Sequence, residues 1–107
     1  MFQTIHWEQR NGIAWLTLNQ PPSNNMNAAF FRELSRLVDD VLPHADFNAL
    51  IIRGEGRHFS SGADLDDLLN RVDKASDEPD VPLFLKENNR TFLALNKLRV
   101  PVIAAIQ

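Results

Sequence analysis

The chain has 107 residues and contains no cysteine. This length corresponds to one small domain, and the missing thiols exclude disulfides and thiolate metal sites. The net charge of −3, with basic residues scattered along the chain, argues against a nucleic-acid partner. There is no signal-peptide pattern at the N-terminus and no apolar run near the ~20 residues that span a bilayer, so we expect a cytoplasmic protein with no membrane partner.

The first elements in chain order are a β-hairpin and a helix. Apolar-rich runs on either side of Asn11-Gly12 predict a hairpin over residues 2–19, with a type I′ turn at this pair. A loop with two prolines follows, and either Asn25 or Asn27 can cap the next helix. Pro43 marks the end of that helix. Its apolar residues repeat at helical spacing and form one continuous face: Phe30, Phe31, Leu34, Leu37, Val38, Val41 and Leu42.

The second half of the chain continues the alternation of strands and helices. Residues 48–54 form a short apolar run bounded by turn signals, which predicts a buried strand. Residues 63–72 predict a short helix, residues 73–82 an acidic surface excursion, and residues 83–98 a further helix. Residues 100–107 close the chain as a strand. The order ββ-α-β-α-α-β predicts an α/β layered fold with right-handed crossovers.

The final strand is as apolar as strands that are buried on both faces of a sheet. Such a strand needs neighbouring strands and covering helices, and no further sequence is present here to provide them. We therefore expect these 107 residues to be the first part of a larger domain.

The loop after the third strand, "GEGRHFSSGADL" from Gly54 to Leu65, is the strongest candidate for chemistry. Two phosphate-binding motifs fail there on spacing. A P-loop requires a lysine after its last glycine, and none follows Gly62. A dinucleotide-binding fingerprint requires a third glycine at the position where Phe59 stands. The sequence therefore argues against nucleotide binding by either motif.

The backbone of this loop suggests a different use. Gly62 permits a sharp turn, and the N–H groups that follow it lie in the first turn of the predicted helix, where they lack intrahelical partners. Such groups can donate to an oxygen that is gaining negative charge. Asp64 and Asp66 would repel a full anion, so a carbonyl that becomes an enolate fits better than a free phosphate. The alternative interpretation is an ordinary strand-to-helix turn with a capped start.

Three spaced motifs resemble the enoyl-CoA hydratase/isomerase (crotonase) family. The first is the loop described above, the second is "PPSNNMN", from Pro21 to Asn27, and the third is "KLRVPVIAAIQ", from Lys97 to Gln107. The resemblance covers the whole chain and implies a crotonase-like (ββα spiral) α/β fold, of which residues 1–107 form the N-terminal part. In the first motif, these residues match the family pattern: Gly54, Gly56, Phe59, Ser61, Gly62, Ala63, Asp64 and Leu65.

The resemblance implies that the chain acts on a coenzyme A thioester. In this family the thioester carbonyl accepts two backbone N–H bonds in an oxyanion hole, and the Ala63 amide matches the first donor. Coenzyme A enters as part of the acyl-CoA substrate, with no permanently bound cofactor and no metal. Family members commonly form trimers or paired trimers, which implies a homo-oligomer. The coenzyme A contacts, mainly through backbone groups, match two segments: Ser23, Asn24, Asn25 and Met26, and Ala63, Asp64 and Leu65.

The chain departs from the family in two respects. Family members often carry a basic residue near the phosphates in the first segment, and this chain has Ser23, Asn24 and Asn25 there. The second oxyanion donor and the acid/base carboxylates of the family match positions beyond Gln107. No glutamate of this chain matches a catalytic position, and we expect each to be a solvated surface group: Glu8, Glu33, Glu55, Glu78 and Glu87.

Two hypotheses remain open from the sequence. The first is an acyl-CoA hydratase or isomerase, of which this chain holds the first half of the site. The second is a non-catalytic fragment or assembly module with a partial coenzyme A surface, which self-associates through the edge of its last strand. No histidine spacing suggests a metal pair, and Trp7 and Trp15 are expected to pack across strands of the hairpin.

Overall fold

The computed structural model describes residues 2–62 and 83–106. Its four strands form one mixed sheet in the order β1-β2-β3-β4. β1 and β2 are antiparallel, whereas β2, β3 and β4 are mutually parallel. The predicted helix at 63–72 and the excursion at 73–82 lie outside the described residues. The strand bounds are Ile5–Arg10 for β1, Ile13–Leu18 for β2, Ala49–Gly54 for β3 and Val102–Ala105 for β4.

The hairpin turn forms where the sequence predicts it. Asn11 and Gly12 have φ angles of 54° and 81°, and a type I′ turn requires positive φ at both central residues. The tight turn sets the register, in which Ile5 pairs with Leu18. Both residues are therefore on the same face of the sheet, and both are buried in the core.

The two tryptophans lie on opposite faces of the hairpin, because Trp7 pairs with Leu16 and Trp15 with Glu8. The Trp7 ring packs edge-on against Phe47, with ring centroids 5.8 Å apart. The guanidinium carbon of Arg53 on β3 lies over the Trp15 ring, 4.7 Å from the ring centroid. Besides facing Leu16 and Glu8 across the hairpin, the two rings therefore also pack on residues outside it.

The first helix, α1, spans Ala28–Arg36. Of the two candidate caps, Asn27 is the one used, because its side-chain oxygen accepts the Phe30 N–H at 2.9 Å. The sequence predicts one regular helix that ends at Pro43, but the structure has a regular α-helix only up to Arg36. A π-helical turn covers Leu37–Val41, and a 3₁₀ turn follows over Leu42–His44. Pro43 lies inside that 3₁₀ turn, where its fixed φ is compatible and its missing N–H costs nothing.

The apolar face of α1 continues through these changes of helix type and covers one face of the sheet. This face contributes five residues to the core: Phe30, Leu34, Leu37, Val38 and Leu42. The strands contribute Ile5, Ala14, Leu16, Leu18 and Leu50, and the second helix contributes Leu95.

The second described helix, α2, spans Leu83–Asn96, two residues short of the predicted end. It packs on α1, where the ring of Phe92 meets the ring of Phe31 edge-on with centroids 5.6 Å apart. Within the described part of the chain, no helix is both long enough and apolar enough to cross a membrane.

The final strand, β4, is the most exposed strand of the sheet. It pairs with β3 and ends the sheet, and all four of its residues are exposed. Ile103 is 52% exposed, and Ile106 just after the strand is 74% exposed. This exposure agrees with the expectation that so apolar a strand lacks its neighbouring strands and covering helices within these 107 residues, since no described element lies beyond β4 or covers it.

Candidate functional site

Two segments that are distant in the sequence lie side by side at the carboxyl end of β3. The Ser61 N–H donates to the Ser23 carbonyl at 2.8 Å, and the Met26 N–H donates to the Gly62 carbonyl at 2.7 Å. These two bonds join residues 23–26 to residues 61–62. The first segment that the resemblance assigns to coenzyme A thus lies beside residues 61–62, whereas the second, Ala63 to Leu65, lies outside the described residues.

Asn24 lies at the centre of this arrangement. It is 2% exposed, and its amide nitrogen donates to the Glu55 carbonyl at 2.9 Å and to the His58 carbonyl at 2.8 Å. Its amide oxygen accepts the Gln20 N–H at 2.8 Å. Both donors and the acceptor of the side chain are therefore engaged within the protein.

A serine hydroxyl connects the same elements a second time. Ser60 Oγ donates to the Asn24 carbonyl at 2.8 Å and accepts the Gly62 N–H at 2.9 Å. Both backbone groups of Gly62 are consequently held, the N–H by Ser60 and the carbonyl by Met26. The Gly62 carbonyl, held by the Met26 N–H, is the last backbone group of the loop that the structure describes.

Glycine is required at Gly54 for space and at Gly62 for conformation. A Cβ on Gly54 would meet the His58 carbonyl oxygen and approach the Phe59 carbonyl oxygen to 2.5 Å and the Asn24 amide nitrogen to 2.8 Å. At Gly62 there is nothing within 4 Å, but φ is +93°, which side-chain-bearing residues rarely adopt. The sharp turn expected at Gly62 is therefore present.

One glutamate does not behave as the sequence predicts. We expected Glu33 to be a solvated surface group, but its carboxylate accepts the backbone N–H groups of Gln3 and Thr4 and the Thr4 hydroxyl. Partial burial would raise the pKa of Glu33, but the hydrogen bonds from Thr4, Gln3 and Ile5 outweigh it and lower the pKa below the ordinary value. This carboxylate therefore fastens β1 to α1 and is not a free base.

The other described glutamates lie at the surface. Glu8 is 3.9 Å from Arg10, Glu87 is 3.3 Å from Arg90, and Glu55 is exposed in the loop. Among the residues that the structure describes, no group of three or more His, Asp or Glu side chains could hold a metal ion. The described part of the site thus offers backbone groups and a rigid loop, and Ala63, Asp64 and Leu65 lie outside it.

Comparison with known structures defines the fold class. An enoyl-CoA hydratase/isomerase from Xanthobacter autotrophicus Py2 matches with a TM-score of 0.76 and 26% identity, over 100% of this chain and 39% of the other. The crotonase-like fold implied by the resemblance is thus confirmed for this N-terminal portion.

The family follows from the sequence comparison. The family model for "Enoyl-CoA hydratase/isomerase" matches residues 8–107, and the chain belongs to that family. A probable enoyl-CoA hydratase of Bacillus subtilis (strain 168) is 31% identical over 94 residues, covering 88% of this chain and 35% of the relative. The mitochondrial Delta(3,5)-Delta(2,4)-dienoyl-CoA isomerase of Mus musculus is 34% identical over 101 residues, covering 88% of this chain and 31% of the relative. The chain spans about a third of the length of these relatives.

Sequence reasoning missed the residues that hold the loop in place. The Asn24 amide bonds to carbonyls 31 and 34 positions away, and no local pattern encodes such contacts. One weak signal was available, because asparagine tolerates positive φ in turns better than most residues, and Asn24 has φ of 49°. Ser60 gave no signal, since a serine in a loop is ordinary.

Proposed function

We propose that this chain provides the first half of a site for acyl-CoA thioesters, in which the Ala63 backbone N–H donates to the thioester carbonyl as it becomes an enolate. Coenzyme A is part of the substrate in this proposal, and no permanently bound cofactor is needed. The relatives include a hydratase and an isomerase by name, so the proposal covers both reactions and leaves the acyl group open.

The observation that carries this proposal is the fixed carbonyl of Gly62. Its hydrogen bond from Met26, at 2.7 Å, and the Ser60 bond to the Gly62 N–H, at 2.9 Å, hold the residue on both sides. An oxyanion hole works only when its donors are oriented before the charge develops, because reorientation during the reaction would cost the stabilisation gained. A loop restrained up to residue 62 supports such an orientation for the amide that follows.

The same pairing supports the two coenzyme A segments. Residues 23–26 lie beside residues 61–62 through hydrogen bonds, and the proposed second segment, Ala63 to Leu65, follows residue 62 directly in the sequence. Because Ser23, Asn24 and Asn25 stand where many family members carry a basic residue, no phosphate contact is assigned to this segment.

The test compares two ligands and two substitutions at one position. Butyryl-CoA has a thioester carbonyl, and S-butyl-CoA is the matching thioether without it. Ala63→Pro removes the backbone N–H, whereas Ala63→Gly keeps it. One such hydrogen bond is worth about 0.5–1.5 kcal/mol, or roughly a two- to tenfold preference for the thioester.

Isothermal titration calorimetry measures the affinity for each ligand. We expect the unmodified chain and Ala63→Gly to bind butyryl-CoA more tightly than S-butyl-CoA, and Ala63→Pro to bind the two equally. Amide chemical shifts of Met26 and Gly62 check that the loop is intact in each variant. Equal binding of both ligands by the unmodified chain would contradict the proposal.

The exposure of β4 favours a second candidate, an assembly module. Val102 and Ile103 are 38% and 52% exposed on the edge strand, and unpaired edges associate with one another. We expect Ile103→Lys to reduce self-association measured by light scattering, with Ala104→Ser as the control on the same strand. A monodisperse monomer before substitution, with cooperative unfolding, excludes this candidate.

A further inference from the structure

We infer that Asn24 is a positioning residue, whose side-chain amide holds the loop over residues 55–62 in the conformation that orients the Gly62 peptide group. This inference rests on the proposed function for its catalytic meaning, but its structural part stands on the hydrogen bonds alone. It assigns Asn24 a role through other residues and not through contact with coenzyme A.

The first step of the argument is the direction of the hydrogen bonds. The amide nitrogen of Asn24 donates to two carbonyls of the loop, those of Glu55 and His58. These carbonyls are only three residues apart and both point at one nitrogen, so the loop between them is bent around the side chain. Loop carbonyls that turn inward need a donor there, because an unpaired buried carbonyl is costly.

The second step is burial. Asn24 is 2% exposed, and its side-chain oxygen accepts the Gln20 N–H at 2.8 Å. Gly54 lies so close that a Cβ there would approach the Asn24 amide nitrogen to 2.8 Å. The amide is therefore held from the side of the first segment and enclosed by the end of β3, so water cannot replace it without rearrangement.

The third step links Asn24 to Gly62. The Asn24 carbonyl accepts the hydroxyl of Ser60 at 2.8 Å, and that hydroxyl in turn accepts the Gly62 N–H at 2.9 Å. Asn24 therefore fixes the beginning of the loop through its side chain and the end of the loop through its backbone. Few residue types can do both, because Asn24 has φ of 49°, where asparagine is favoured among residues other than glycine.

Two substitutions separate the amide from the backbone conformation. Asn24→Gly keeps the positive φ accessible but removes the amide. Asn24→Asp keeps the shape and the tolerance of positive φ, but replaces the donor by an oxygen that faces two carbonyl oxygens. Asn19→Asp is the matched control, because Asn19 is exposed and bonds to Thr4 through its backbone N–H.

The deciding measurement is amide hydrogen exchange by NMR on the 107-residue chain. In both Asn24 variants, the Met26, Ser61 and Gly62 amides should exchange about tenfold faster or more, while the β1–β2 amides keep their rates. Asn19→Asp should change neither set. Unchanged loop protection in Asn24→Gly would overturn the inference, whatever the ligand results show.

Ligand binding gives the second readout, which a merely structural role would not move. The preference for butyryl-CoA over S-butyl-CoA should fall toward one in Asn24→Gly, with a smaller change in affinity for S-butyl-CoA. A preference retained at full size despite a loosened loop overturns the link to the thioester. If the unmodified chain shows no preference and the exchange result is as expected, the proposed function fails and Asn24 keeps its role as the residue that positions the loop.

Discussion

Glu33 Oε1 accepts both the backbone N–H and the hydroxyl of Thr4, at 2.7 and 2.8 Å. These residues are 29 positions apart, so the carboxylate on α1 fixes the start of β1. The same carboxylate accepts the Gln3 N–H through both oxygens, at 2.8 and 3.0 Å. Because the charged form accepts all of these bonds, the ionisation of Glu33 contributes to the stability of the fold.

The first prediction concerns the pH dependence of this clamp. The pKa of Glu33 is lower in the folded state than in the unfolded state. Its contribution is therefore complete above the unfolded-state pKa, about 4.3, and is lost as the pH falls through the lower folded-state pKa. We expect Glu33→Gln to lower the free energy of unfolding by about 1–2 kcal/mol at pH 7, allowing for solvent screening.

Urea unfolding from pH 7 down to about pH 3 measures this effect. The difference between the unmodified chain and Glu33→Gln should shrink as the pH falls below the unfolded-state pKa. Glu8→Gln is the control, because the nearest ion-pair partner of Glu8 is 3.9 Å away. A loss in Glu8→Gln as large as that in Glu33→Gln would count against the clamp.

The second prediction concerns Gly54. A Cβ there meets two loop carbonyls and the Asn24 amide, and overpacking of this kind costs about 1–3 kcal/mol. We expect Gly54→Ala to lower the free energy of unfolding by that amount and to speed exchange of the Met26 amide. Gly56→Asn is the control, since a Cβ at Gly56 meets only the Pro21 side chain at 3.6 Å and asparagine tolerates positive φ. Equal costs for the two substitutions would show that close packing at Gly54 is unimportant.

The third prediction concerns the attachment of α2 to the first helical segment. The Arg90 guanidinium donates to both oxygens of Asp39, at 3.2 and 3.3 Å, and to Ser35 Oγ at 3.2 Å. Its pKa is raised by the hydrogen bonds to Asp39 and then Glu87. These groups are exposed, so salt should weaken their interaction as the screening length falls from ~30 Å at ~0.01 M to ~3 Å at ~1 M.

We expect Arg90→Gln to lower the melting temperature at low salt and to have a smaller effect at high salt. Arg99→Gln, a substitution of an exposed arginine after α2, provides the comparison for a general change of net charge. A drop that is the same at both salt concentrations would assign the effect to packing of the arginine side chain, not to its charge.

The sequence predicts the elements that depend on local rules. The Asn11-Gly12 turn follows from the need for positive φ in a type I′ hairpin, and the apolar face of α1 follows from helical spacing. The loop at Gly54 to Gly62 was found by its glycines, whose conformational and spatial requirements are local. Family motifs then gave the fold, because three short patterns in the right order are more specific than any one of them.

The contacts that hold the site depend on residues far apart, and for this reason the sequence did not predict them. Glu33 looks like one more charged residue on a helix until β1 places Gln3 and Thr4 beside it. The Asn24 side chain gains its two acceptors only when residues 55 and 58 of the loop lie against it. The exposure of β4, by contrast, agrees with the expectation that this apolar strand lacks covering elements within these 107 residues.

The last prediction concerns catalysis by the chain as it stands. Hydration of the carbon–carbon double bond of an enoyl-CoA requires a positioned general acid or base. Each described glutamate is either paired with another group or exposed at the surface. Glu33 is held by Thr4, Glu87 by Arg90, and Glu55 is exposed to solvent. We therefore expect no measurable hydration of crotonyl-CoA by the 107-residue chain, even under conditions in which it binds butyryl-CoA.

The loss of absorbance of the conjugated thioester measures the reaction. If turnover is seen and Glu55→Gln abolishes it while Glu8→Gln does not, Glu55 is the base and the assignment of the carboxylates to positions beyond Gln107 is wrong.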